Sequence, residues 1–257
     1  YFCFEAPGRV FMRRQPRYKG WDGKIRLFRL RDHRIYRGLA PRILEFAEHH
    51  HYTVTNAIPP HPFQTVMNAE TYLAGQVLPL EVRDYQKVAL QTAYNERRGI
   101  IVSPTGSGKS FIIYLLLKAL GVKSLIVVPT TGLVIQMLND FIAYGYDSTD
   151  IHTIQAGAVK YSSASLTIST WQSLYELPPE YFDPYECVVI DECHLAKAKS
   201  LSGLLEKCHA SFRYGFTGTI NNTEAHRLIL EGLFGNVTIV TTTTALVHAE
   251  QLAPLRV

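Results

Sequence analysis

The sequence predicts an α/β protein built on a mostly parallel sheet with helices on both faces, preceded by a small basic α+β domain. Three observations predict this class. After Leu80, apolar strand-like runs alternate with helical patterns, the grammar of a parallel sheet whose crossovers cover both faces. A glycine-punctuated turn at 103–110 joins one such run to an apolar helix. Before residue 56 the chain reads differently, with short stretches, turn residues and many arginines.

In chain order, residues 1–37 read as β-like stretches at 1–4, 9–12 and 24–29, with Tyr18 to Gly23 supplying turn chemistry before the last. A helix is expected over 39–50, with Ile43, Leu44, Phe46 and Ala47 on its apolar side. Together these form the basic domain, 1–55. Residues 56–79, with Pro59, Pro60, Pro62 and Pro79, read as a linker holding one short helix at 65–73. The larger domain, 80–240, begins with a helix over 83–94. Strand 99–102, helix 109–120, strand 124–128 and helix 131–143 follow. Further strands are expected at 166–169, 188–191 and 212–216, with helices near 200–208 and 223–233. In such sheets ligands gather at the carboxyl ends of the strands.

Composition narrows the class. With 257 residues, 47% hydrophobic and 19% charged, the chain has enough apolar material for a substantial core and is not a disordered polymer. Its longest apolar runs fall short of the ~18 residues that span a bilayer, so no membrane partner is expected. Cys3, Cys187, Cys193 and Cys208 show no Cys-x-x-Cys spacing and read as reduced thiols. His49, His50 and His51 diverge around a helix and read as a solvated end, not a metal site.

Charge is uneven. Residues 1–44 carry twelve Lys/Arg against Glu5, Asp22 and Asp32, a net of +9, while the remainder is net −5. That asymmetry marks a polyanion-binding surface, with Arg13, Arg14, Arg17 and Lys19 as candidate nucleic-acid contacts. Phe2, Phe4, Phe11, Tyr18, Trp21, Phe28 and Tyr36 interleave with these cations. They read first as the small domain's core, with base stacking as the alternative.

The turn at 103–110 reads as a phosphate-binding loop. Gly106 and Gly108 let the backbone curl so that the N–H groups around Thr105, Gly106, Ser107 and Gly108 converge on an anion beside a helix N-terminus. Polyphosphate is the natural guest: Lys109 would reach its β- and γ-phosphates as a point charge, and the Ser110 hydroxyl would bind Mg²⁺. The usual pattern begins with glycine, where this chain has Ser103. Downstream, Val188, Val189 and Ile190 deliver Asp191 and Glu192 to a strand's carboxyl end. Asp191 suits Mg²⁺, usually through water, and Glu192 suits orienting and deprotonating an attacking water. His194 follows two residues later, placed for coupling to another element.

In this order the motifs resemble those of superfamily 2 helicases over residues 80–257. The resemblance implies a RecA-like fold for 80–240. Arg83-Asp84-Tyr85-Gln86 is similar to the glutamine motif, which implies that Gln86 reads adenine. Pro129-Thr130-Thr131-Gly132-Leu133 and Ser169-Thr170-Trp171-Gln172 resemble strand-contacting motifs, implying backbone contacts from Thr130 and Thr170. Thr217-Gly218-Thr219 resembles motif III, more often Ser-Ala-Thr, and implies relay roles for Thr217 and Thr219; helix or turn capping is the alternative for each threonine. The letters of motif II and the stretch from Arg17 to Arg26 are similar to the phage UvsW-type DNA helicases. That similarity implies an ATP-driven motor on branched, duplex or single-stranded DNA, remodelling branches by annealing, unwinding and fork regression; the reduced thiols point to a cytoplasm, the host's if the source is a phage.

Two other readings stay open, an RNA helicase and a non-hydrolysing ATP-binding clamp on nucleic acid. Motifs IV to VI have no counterpart, and residues 241–257 resemble the start of a connection to a second RecA-like domain. The chain, which begins at Tyr1, is therefore expected to be a fragment lacking that partner. Arg227 and Arg256 do not have the context of an arginine finger.

Overall fold

The computed structural model describes residues 2–6, 9–55, 66–154, 159–195, 198–220 and 224–253. They form two compact units. Residues 1–64 and 221–236 make the smaller; 65–220 and 237–257 make the larger.

In the smaller unit, β1 (Cys3–Glu5) pairs antiparallel with β2 (Lys24–Arg26), Phe4 lying opposite Ile25. Between them the sequence suggests a strand at 9–12, but the chain forms helix α1 (Arg9–Arg13). The reason lies in the pairing. The Ala6 N–H donates to the Gly23 carbonyl at 2.8 Å, closing the β1–β2 ladder and leaving the intervening chain outside it. Without a ladder partner, that chain satisfies its backbone locally: Arg14 donates to Phe11, Gln15 to Met12 and Tyr18 to Gln15. The expected helix is α2 (Ala40–His49), entered through a 3₁₀ turn at Arg37–Leu39 with Pro41 in its first turn.

The larger unit is a seven-stranded sheet in which every pairing is parallel. Helix α3 (Ala69–Ala74) is capped by Asn68, and α4 (Asp84–Glu96) leads into β3 (Arg98–Val102). Helix α5 (Lys109–Leu120) follows, then β4 (Ser124–Val128) and α6 (Thr131–Ala143). Next come β5 (Ile151–Ile154), β6 (Leu166–Thr170), the short α7 (Trp171–Leu174) and β7 (Cys187–Ile190). Helix α8 (Ala198–Lys207) precedes β8 (Phe212–Thr217).

Helix α9 (Glu224–Phe234) leaves this layer order and groups with the smaller unit, whereas the boundary drawn from sequence kept it in the larger domain. Leu228 joins Leu27 and Leu39 in one buried cluster, with Phe2, Phe4 and Tyr36 against it. Gly38 permits the approach, since a Cβ there would collide with the Glu231 carbonyl oxygen. The Glu231 carboxylate, 8% exposed, accepts from Arg42 Nε and Arg227 Nε, each at 2.7 Å. The chain then re-enters the sheet as β9 (Val237–Ile239) and ends its described part after α10 (Thr243–His248).

Strand order across the sheet is β5-β6-β4-β7-β8-β3-β9. Every residue of β4, β6 and β7 is buried, as expected of strands covered on both faces. Helix α5 buries Phe111 through Leu117 without a polar face and packs in the core with Ile101, Val189 and Phe216. Because β8 lies between β7 and β3, the carboxyl ends of all three are neighbours.

Among the described residues, no helix is long and apolar enough to cross a membrane. All four cysteines are free thiols, and burial pushes those of Cys187, Cys193 and Cys208 up.

Candidate active site

The carboxyl end of β3 runs straight into the loop that reads as phosphate-binding. Gly106 and Gly108 both take left-handed backbone angles, with φ of 80° and 77°. Side chains would also collide there. A Cβ on Gly108 would lie 2.7 Å from Gln86 Nε2, and one on Gly106 would lie 2.6 Å from Leu252 Cδ2. Ser103, in the place of the expected glycine, is fully buried; its N–H donates to the Thr217 carbonyl at 2.9 Å, and its hydroxyl donates to Ser107 Oγ at 2.6 Å. The extra hydroxyl thus ties the loop's first turn to its centre.

Gln86 is 3% exposed and braces the same loop. Its Nε2 donates to the Ser107 carbonyl at 3.0 Å, and its Oε1 accepts from the Arg83 N–H at 3.0 Å. The Tyr85 hydroxyl donates to that Ser107 carbonyl at 2.7 Å. An open cleft of about 590 Å³ lies beside the loop, lined by Val82, Arg83, Gln86, Gly108, Phe111 and Tyr144 among others. Lys109 opens α5, and its Nζ lies 3.3 Å from Glu192 Oε1, just past the carboxyl end of β7. Ser110 Oγ lies 3.0 Å from the Tyr144 hydroxyl.

At the end of β7, Asp191 and Glu192 diverge in environment. Asp191 is 7% exposed, and its Oδ1 is buried with no hydrogen-bond partner among the described residues. Burial, then the neighbouring Glu192 charge, pushes its carboxyl up to about 6, against the pull of Lys109. Glu192 sits at φ 48°, a left-handed conformation that costs a non-glycine residue about 1–2 kcal/mol. The turn aims its carboxylate between Lys109 and His194, whose Nδ1 lies 3.3 Å from Glu192 Oε2.

His194 continues the chain of contacts to β8. Its Nδ1 is 2.6 Å from Thr217 Oγ1, and the Thr217 hydroxyl donates to the Thr219 carbonyl at 2.7 Å. Because that hydroxyl's one proton is committed, the imidazole Nδ1 carries the hydrogen and donates to Thr217. Gly218 completes the junction: a Cβ on it would stand 3.7 Å from Thr105 N and 3.8 Å from Lys109 Nζ. Residues predicted from three separate stretches, Thr105 and Lys109, Glu192 and His194, Thr217 and Thr219, therefore meet at one point.

The predicted nucleic-acid residues do not converge in this way. Thr130, exposed, caps α6 by accepting from the Leu133 N–H at 3.3 Å. Thr170, 4% exposed, caps α7 through the Ser173 N–H at 3.4 Å. Both thus make the capping contacts that the sequence left as an alternative. In the smaller unit, Arg13, Arg14 and Lys19 are exposed, while the Arg17 side chain lies outside the described ones. Of the interleaved aromatics, Phe2, Phe4, Tyr18, Trp21, Phe28 and Tyr36 are half-buried, and Phe11 is exposed. Arg256 lies outside the described residues; among these, no cluster of His, Cys, Asp and Glu has the form of a metal site. Sequence reasoning missed Tyr144 at Ser110 and Leu252 at Gly106. Tyr85 stood in a quoted motif, but nothing in its spacing marked its hydroxyl as a loop brace.

With this geometry established, the family described as Type III restriction enzyme, res subunit, matches residues 79–222. The chain belongs to that family. The chain is 31% identical to the ATP-dependent DNA helicase uvsW of Enterobacteria phage T4, over all of this chain and 54% of the phage protein. It is also 31% identical to the DNA 3'-5' translocase XPB2 of Sulfurisphaera tokodaii, over 54% of this chain and 31% of that protein. The chain thus spans about half or less of these relatives' lengths. The crystal structure of the UvsW helicase from bacteriophage T4 superposes with a TM-score of 0.83, covering 93% of this chain and 90% of that one. The expected resemblance to superfamily 2 helicases and the RecA-like fold are both borne out.

Proposed function

We propose that this chain is the nucleotide-binding part of an ATP-driven DNA helicase or translocase that remodels branched or duplex DNA, with unwinding, annealing and fork regression as its actions in recombination, repair and replication restart. The observation that carries this reading is the contact chain Lys109, Glu192, His194, Thr217, which joins the phosphate loop, the paired carboxylates and the neighbouring strand end. In this reading Lys109 neutralises charge on the β- and γ-phosphates of ATP. Glu192 leaves its ion pair with Lys109 to orient and deprotonate the attacking water. His194 and Thr217 sense that departure through their shared hydrogen bond, and Thr219 follows through the Thr217 hydroxyl. The braces from Gln86 and Tyr85 hold the loop's curl, so its N–H groups meet phosphate without reorganisation. Gln86 keeps one amide hydrogen free of the loop for an adenine edge.

The donor set fits Mg²⁺. The orphaned, buried Asp191 Oδ1 lacks a positive partner, and Ser110 Oγ has only a neutral neighbour. Mg²⁺ bound with nucleotide would spread the charge of the phosphates. Asp191 and Ser110 would hold it, Asp191 through water.

DNA as the partner is supported by the basic segment and by the DNA-acting relatives; a second RecA-like domain beyond this chain is the further partner proposed. The test separates binding from chemistry. Lys109→Ala should abolish nucleotide binding and turnover, whereas Glu192→Gln should bind ATP and fail to cleave it. Parental hydrolysis by Glu192→Gln, measured with forked DNA present, would sink the assignment of the base.

A further inference from the structure

We infer that Phe11, with Arg14 beside it, is a base-stacking tip with which the basic unit distinguishes unpaired bases at a DNA branch from continuous duplex. This rests on the DNA-acting function proposed above and names the part of the DNA that this surface takes.

The geometry of α1 carries the inference. Arg9 and Met12 face the smaller unit: Arg9 pairs with Glu5 and packs on Gly23, where a Cβ would lie 3.1 Å from Arg9 Cδ. The other face is different. Val10 is 64% and Phe11 69% exposed, and Arg13 and Arg14 are exposed as well. Spacings of three and four bring Val10 beside Arg13 and Arg14, and Phe11 beside Arg14, so apolar and cationic groups share one surface. Among the described residues, neither Arg13 nor Arg14 makes an ion pair.

Among the described aromatics of residues 1–44, Phe11 is the exposed one; the others are half-buried and contribute to packing, such as Phe2 and Phe4 against Leu27 and Leu39, or Tyr18 at 5.4 Å from Trp21. An exposed phenyl ring beside an unpaired guanidinium group, with a second on the same short helix, is matched by a ligand with an apolar flat face and flanking anions. A nucleobase on its phosphate backbone has both. In intact duplex the bases are stacked on each other, and only phosphates are offered to the arginines. At a fork or in a single strand a base can leave the stack for Phe11. A five-residue helix is too short to lie in a lipid surface as amphipathic anchors do, which favours nucleic acid over an anionic membrane.

The test uses the 257-residue chain, with fluorescence anisotropy on a blunt duplex, a fork with unpaired arms and a single strand, across a salt series. Phe11→Ala should weaken fork and single-strand binding about tenfold while duplex affinity moves less than twofold, and Phe11→Trp should restore it. Arg13→Ala with Arg14→Ala should weaken all three and lower the salt slope by about 2. Equal effects of Phe11→Ala on all three DNAs, or no effect, would overturn the stacking role while leaving DNA binding intact. Absence of DNA binding by the parental chain would overturn both this inference and the DNA-acting function. Binding to phosphatidylserine vesicles that Phe11→Ala removes, with DNA binding unchanged, would assign the surface to membranes instead.

Discussion

Asp191 shows how much one residue's surroundings decide. Its carboxyl is pushed from the usual 3.8 to about 6, so as pH rises the unfolded chain loses its proton before the folded one does. Stability therefore falls between about pH 4 and pH 6, and the ionised group costs up to about 3 kcal/mol above that window. In metal-free buffer, Asp191→Asn should raise the thermal midpoint at pH 7.5 and leave it unchanged at pH 4. An equal shift at both values would mean that the carboxylate is not the source. Tyr144 poses the complementary case: its hydroxyl, buried enough to push its ionisation up, shares a hydrogen bond with Ser110. Releasing Ser110 by Tyr144→Phe should tighten Mg²⁺–nucleotide binding up to about fivefold, the worth of one ordinary hydrogen bond, without changing metal-free nucleotide binding. Titration calorimetry with and without Mg²⁺ reads the difference.

At the scale of elements, α9 is the joint of the smaller unit. Gly38 lies where the helix backbone comes closest, and Glu231 ties Arg42 and Arg227 together. Gly38→Ala should cost at least ~2 kcal/mol, because the obstructing atoms are backbone and cannot swing aside. Glu231→Ala should cost less, about 1 kcal/mol, since both arginines remain partly solvated. Urea unfolding of the two variants gives the order, and a reversed order would move the joint elsewhere.

The same elements show what sequence can carry. Strands β3 and β4 and helices α5 and α6 were legible because their apolar runs are continuous and their boundaries sit at glycine or a capping threonine. Strand β5, Ile-His-Thr-Ile, was not; it is a short edge strand with one fully buried residue, so its pattern is weak. Helix α1 was misread because its state is set by the closure of β1 on β2, a contact that local sequence does not contain. In the site, the loop and both carboxylates were legible from spacing. Tyr144 was not, because its partner is 34 residues away and no rule of spacing links them.

Taken whole, the loop and the paired carboxylates come from the larger unit, while Arg227, the arginine downstream of Thr219 among the described residues, is paired with Glu231 inside the smaller one. Phosphoryl transfer of this kind gains ~10³–10⁵ in rate from an arginine supplied to the transition state. Residues 1–257 should therefore hydrolyse ATP slowly, at least a hundredfold below a longer protein carrying the proposed second RecA-like domain, with saturating branched DNA in both. Equal steady-state rates would show a site complete within these residues.

The contact of Leu252 with Gly106 has a mechanical side. The loop's left-handed turn bears against a side chain 146 positions downstream, just before the described chain ends at residue 253. Leu252→Ala would take that side chain off the turn, and the release rate of a fluorescent nucleotide, followed by stopped flow, should rise as the loop's curl loses its outer support.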